Sequence, residues 1–304
     1  MQALYAYKCA NIQTLPVLKS NLEKNIGQPL EILCYLLLLI REIANYSEED
    51  MAIRSSKFLP TEEDRLPSTC ILKHPVISWL NQNEDFEKLL KQYKLQPRID
   101  HDQVRALFND FNKSTLFREY KANQEPSADQ QKKILDFLVK EIMLSSEDLD
   151  SYLLEEFNGW IDDSEGIGFS LLAVLNDIMN GQGLSRVRIF WEKNREMNEF
   201  AGELLEKSLD HFDEYTQLLA PKIRNWELDR IAKIDLVLMV MALTEILDFP
   251  TIPVKVTINE YIDISKLYST PKSREFINGV LDKMMKELKA NGRIVKTGRG
   301  LLNN

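Results

Sequence analysis

The sequence predicts an all-α fold, and three observations carry the prediction. Only 11 glycines and 11 prolines in 304 residues leave few turn positions, which favours long helices over many short strands. Leu30, Leu33, Leu37 and Ile40 recur at helical spacing. Residues 229–248 are apolar almost all round, as a central helix with neighbours on every side must be. A hydrophobic content of 44% suffices for a sizeable core, and 28% charged residues supply a soluble surface. The length exceeds that of a typical single domain, so two domains or one domain with a large insertion are expected.

Taken in order, the chain opens inside a helix pattern. Met1, Gln2, Ala3, Leu4 and Tyr5 are good helix formers with no capping residue before them. A native start upstream of Met1 is therefore expected. A short amphipathic stretch follows Pro16, then a helix over about 29–57. Pro60, Pro67 and Pro75 mark a looser boundary. Helices are expected over 102–111, 128–143 with Ser127 as N-cap, 147–157 and 169–179. Gly181 and Gly183 form a second boundary. Beyond it come a helix over 194–212, a turn near Pro221, and the apolar helix to Asp248 with Asp229 as its cap. A helix follows over 254–268 after Pro250 and Pro253. Thr270 and Pro271 then supply an N-cap and a first-turn proline for a last helix reaching about Ala290. The final fifteen residues hold no acid, and this basic tail can neutralise phosphates without structure.

Several function classes are disfavoured. Cys9, Cys34 and Cys70 stand far apart, as do His74, His101 and His211, so no metal-ligand spacing arises. Buried thiols in a reducing compartment are the simplest reading of the cysteines. The apolar run 32–40 is too short to span a bilayer, and no signal-peptide pattern opens the chain. A cytoplasmic protein is expected. A net charge of −9 argues against a general nucleic-acid coat but leaves room for a local basic patch.

Three blocks in the last third are more specific: WELDRIAKID at 226–235, IPVKVTINE at 252–260 and FINGVLDK at 276–283, preceded far upstream by QALY at 2–5. In order and spacing they resemble the NusB family, over roughly 194–290 plus the first dozen residues. The resemblance implies a NusB-like pair of helical bundles, here with a large helical insertion. The organisation it suggests is 1–57 with the first family helix, 58–190 as the insertion, 191–290 as the NusB-like domain, and 291–304 as the basic tail. It also implies a non-catalytic, cofactor-free antitermination factor that binds boxA-type RNA with ribosomal protein NusE. Such a factor joins other Nus factors on RNA polymerase. The family contains monomers and dimers, so a homodimer stays open. One departure stands out: the family's first helix usually begins with an arginine-rich run, and this chain has no arginine before Arg41.

Helix geometry adds to the resemblance. Ile277, Val280, Leu281, Met284, Met285 and Leu288 define the expected buried stripe of the last helix. Phe276 falls about 110° from its centre, on a face shared with Lys272, Gly279, Lys283 and Lys286. An aromatic among lysines suits base stacking with phosphate contacts; the alternative is that Phe276 packs against the neighbouring bundle while the lysines only solvate the helix. Lys272 and Ser273 lie in the first turn, where free N–H groups favour a phosphate, although many family members are acidic at the position of Lys272. Tyr5 matches a family tyrosine near the RNA surface, with core packing as its alternative. Asp235 matches an acidic family position that faces NusE, and the resemblance places RNA and partner contacts near the helix start that carries Phe276. For Asp235 the alternative is a solvated carboxylate, yet an acid on so apolar a helix needs a reason to be there. Glu245, Asn259 and Glu260 read as structural.

Two other classes compete. A NusB-like domain also fronts ribosomal RNA cytosine methyltransferases, but the blocks end near residue 290 and leave no room for a cofactor domain. A protein-interaction scaffold without RNA binding fits the acidic charge and the missing arginines.

Overall fold

A computed structural model describes residues 1–10, 14–59, 61–223 and 232–301. Fourteen α-helices with short 3-10 and π turns account for the secondary structure there, with no strand among the described residues. The all-α expectation holds. The chain divides into two compact units, Met1–Lys24 with Glu196–Asn304, and Asn25–Arg195.

The Asn25–Arg195 unit is built on α2 (Leu15–Ser55), α3 (Pro75–Gln82), α4 (Glu84–Tyr93), α5 (His101–Lys113), α6 (Thr115–Ala122), α7 (Ala128–Phe137), α8 (Glu147–Glu156), α9 (Trp160–Met179) and the start of α10 (Ser185–Asp210). Leu30 to Ile40 of α2 are almost wholly buried and form the centre of its core. The helix starts earlier than the sequence suggests. Pro16 sits in its first turn, where a missing N–H costs nothing. Pro29 is tolerated inside it because burial of the following apolar run outweighs one lost backbone bond. Arg41 is buried and ion-paired with Glu42 and Glu87.

Ser127 caps α7 in a full capping box with Gln130, and the helix continues as a π turn over Leu138–Met143. Helix α9 begins nine residues before the expected 169, at a start where the buried Gln28 side chain accepts a hydrogen bond from Gly159 N at 2.7 Å. Gly181 and Gly183 end it with φ of +77° and +56°, conformations that favour glycine. Helix α10 likewise starts at Ser185 rather than 194. Cys34 is buried as expected, whereas Cys9 is exposed and Cys70 half-buried.

The other unit contains α1 (Gln2–Ala10), the first residues of α2, most of α10, α11 (Phe212–Leu219), α12 (Lys233–Asp248), α13 (Val254–Tyr268) and α14 (Pro271–Ala290). Val237 to Leu243 of α12 are buried without interruption, so this helix is central, as its composition requires. Asp229 and the rest of 224–231 lie outside the described residues; the helix is described from Lys233, with Ala232 at the cap position.

The C-terminal segment is ordered through Leu301, contrary to the expected unstructured tail. Lys296 is buried, its ammonium donating to the carbonyls of Phe249 at 2.9 Å and Glu245 at 3.3 Å. Thr297 N donates to Pro250 O at 2.9 Å, and Arg293 pairs with Glu214. A basic side chain that finds backbone carbonyls orders its segment instead of leaving it to solvent. No helix among the described residues is long and apolar enough to cross a membrane.

Candidate nucleic-acid and partner interface

The start of α14 is made by its sequence. Thr270 takes the N-cap position with extended backbone, and its hydroxyl accepts from Ser273 N at 3.2 Å while lying 2.9 Å from Ser273 Oγ. Pro271 fills the first turn. Ile277, Val280, Leu281, Met284 and Leu288 are buried as the stripe requires, and Met285 is half-buried at its edge.

Phe276 is half-buried and packs against the core of its unit. One part of the ring is therefore held and another faces out, combining the packing and surface alternatives. Lys272 and Lys283 are exposed and make no ion pair among the described residues; Lys286 is exposed and pairs with Asp282 at 2.7 Å, one turn back. The first turn of α14 carries no acid. The helix thus brings Lys272, Phe276, Lys283 and Lys286 onto one side, with the aromatic anchored at the edge of the core, while Ser273 points toward the buried stripe. Tyr5 lies on α1 and is 38% exposed, beside the fully buried Leu4. Its phenol is raised above the ordinary range, first by a hydrogen bond with Cys9.

Asp235 does not face water. It is 4% exposed in the first turn of α12, and its carboxylate accepts a hydrogen bond from Ser269 Oγ. Ser269 ends α13 and immediately precedes Thr270. The acid therefore ties the start of α12 to the turn that launches α14, in a first turn where the helix dipole favours negative charge. Sequence reasoning did not single out Ser269. The available signal was the acid itself, since a buried carboxylate requires a donor.

Glu245 is structural, as expected. It is buried and accepts from Thr257 Oγ1 at 2.7 Å and Tyr261 OH at 3.3 Å, and burial raises its carboxyl above the usual range despite these donors. Asn259 is exposed in the middle of α13 and makes no hydrogen bond from its side chain among the described residues, so it caps nothing. Glu260 is exposed beside it. Among the described residues no group of three or more His, Cys, Asp or Glu is placed to hold a metal ion.

These features define an all-helical protein whose last long helix carries a half-buried aromatic and exposed lysines on one side. The NusB family matches residues 173–286. A protein of Salinibacter ruber named transcription antitermination protein NusB is 41% identical over 116 residues, covering 38% of this chain and 72% of the relative. Proteins of the same name from Chloroherpeton thalassium and Thermodesulfovibrio yellowstonii are 40% and 38% identical. They are covered over 50% and 68% of their lengths, against 34% and 32% of this chain. The chain belongs to the NusB family. No solved structure matches it significantly.

Proposed function

We propose that this chain is a cytoplasmic transcription antitermination factor that binds boxA-type RNA together with ribosomal protein NusE and joins other Nus factors on RNA polymerase. The observation that supports it is the α14 face, where an anchored aromatic stands among lysines inside the family-matched segment. A base stacks on the outward part of Phe276, while Lys272, Lys283 and Lys286 meet phosphates. Ser273 borders the first-turn N–H groups, and Tyr5 adds a second aromatic. Phe276 and the α12 start meet NusE, with Asp235 acting through the turn it holds. The role is that of an adaptor, with no catalytic step and no cofactor.

The deciding experiment is a gel shift of boxA-type RNA with this protein, with and without NusE. A shift that strengthens when NusE is added is expected. Binding of NusE without any RNA shift would favour the scaffold reading, which the net charge of −9 supports. Binding of neither would end the proposal.

A further inference from the structure

The charge of this chain is concentrated in one stretch. Between Lys140 and Arg186 there are ten acidic residues and no lysine or arginine, so the remainder of the chain is close to neutral against a total of −9. Some of these acids are engaged: Glu156 with Arg98, Asp177 with Arg186, and Asp150 with the Trp160 indole. Helix α9 crosses the stretch. It buries Ile167, Leu171, Val174 and Ile178, and on the opposite side it presents Phe169, 68% exposed, with Ile161, 73% exposed, two turns earlier. The two lie about 12 Å apart along the axis. Large apolar side chains at that exposure on a well-packed helix need a partner more than a single scattered apolar residue does. Glu165 stands one turn before Phe169 on the same outward side and has no ion pair among the described residues. Crowding is already felt nearby: burial and then the Asp162 charge raise the Asp163 carboxyl.

We propose that the outward face of the N-terminal half of α9, centred on Phe169 and Ile161 beside the exposed Asp162 and Glu165, is a docking surface for a lysine- and arginine-rich amphipathic segment of another protein. Charge complementarity identifies the occupant. Phosphate backbones and anionic lipid surfaces are repelled by the exposed Asp162 and Glu165 carboxylates beside the apolar pair, whereas a basic helix places apolar anchors on the aromatic and its cations on those carboxylates. Aromatic side chains are enriched where such surfaces bury their centres. Phe169 and Ile161 lie before residue 173, where the family match begins, and in the other unit of the chain from α14.

The test uses the full chain and a fluorescent helical peptide of leucine and lysine with apolar residues on one side. A peptide with glutamate in place of lysine and a polyuridine RNA serve as controls. Phe169→Ala is expected to weaken the lysine peptide about tenfold or more. Glu165→Lys should weaken it about fivefold at low salt and less at high salt. Glu125→Lys, the same charge change on an exposed position elsewhere in the unit, should leave affinity unchanged. Circular dichroism reports whether Phe169→Ala folds; if it does not, Ile161→Ser is read in its place. Equal affinity for all variants, an equal loss in Glu125→Lys and Glu165→Lys, or polyuridine binding that Phe169→Ala abolishes would each overturn the proposal.

Discussion

The Ser269 hydroxyl donates to the buried Asp235 carboxylate across 34 residues of sequence. One hydrogen bond thus fixes the first turn of α12 against the turn from which α14 departs. Removing the donor leaves a buried carboxylate short of a partner, so Ser269→Ala should destabilise by about 1–3 kcal/mol. Asp235→Ala should cost a similar amount, and the double variant less than the sum. Denaturant unfolding of the three proteins measures the coupling; strictly additive losses would show that the pair contributes nothing. Asp235→Lys, which buries an ammonium beside Ser269, should in addition lower NusE affinity in calorimetry, through displacement of the turn.

Phe276 and Lys283 separate stacking from charge on the same face. Phe276→Ala should weaken RNA binding by about 1–3 kcal/mol if a base stacks there. Its salt dependence should hardly change, because no phosphate contact is lost. Lys283→Gln should act the other way, reducing the salt slope by about one while costing little at high salt. Filter binding across a salt series reads both. Identical slopes for Lys283→Gln and the unaltered protein would place the phosphates elsewhere.

How much of this was legible follows from where signals were local. Helix α13 appears over the expected 254–268, because Pro253 and the Ser269-Thr270-Pro271 turn punctuate both ends. The N-cap at Ser127 was equally readable, and the structure adds Gln130 to it as a capping box. Helix α2 was misread because two prolines, local breakers, were overridden by burial that only the folded unit supplies. Helices α3, α4 and α6 were not expected at all. They are eight to ten residues long and sit in a proline-marked or polar stretch, although Asn83 before Glu84, Asp85 and Glu87 does carry a helix-start signature. At the interface, the lysines and Phe276 came from helical spacing. The need for a donor was visible in the acid itself, but which residues serve as tertiary partners, Ser269 for Asp235 and the Phe249 carbonyl for Lys296, was not, because these contacts are long-range.

His74 makes the Asn25–Arg195 unit sensitive to acid. Its Nδ1 accepts from Val76 N at 3.2 Å as the cap of α3, which requires the neutral ring to carry its proton on Nε2, 3.0 Å from Gln131 O. Burial lowers its pKa below the ordinary imidazole value. An unfolded chain takes up that proton near pH 6.5, before the folded one does. The contribution to stability is therefore complete above that pH and is lost as pH falls toward the lowered folded value. Thermal melts at pH 8 and pH 5.5 should show a drop that His74→Asn, which keeps a capping side chain without titrating, reduces. An equal drop in both proteins would assign the acid sensitivity to other groups.

The C-terminal segment offers the sharpest discrimination between a structural and an RNA-binding cation. Lys296 sits buried with its ammonium on the Phe249 and Glu245 carbonyls, and burial lowers its pKa although Glu245 and Asp248 oppose this. Lys296→Met removes the donor but keeps the apolar stem, so the carbonyls lose a partner and the segment should loosen at a cost of about 1–3 kcal/mol. Gly300 gives a second, independent handle. A Cβ there would lie 2.0 Å from the Pro250 carbonyl oxygen, so Gly300→Ala must displace backbone that Thr297 N also binds. Both variants should be cut faster by trypsin at Arg299, which the loosened segment exposes to the protease. Because its charge is turned inward, Lys296→Met should leave the salt slope of RNA binding unchanged. A slope reduced by about one would instead show that this ammonium leaves its carbonyls to reach a phosphate.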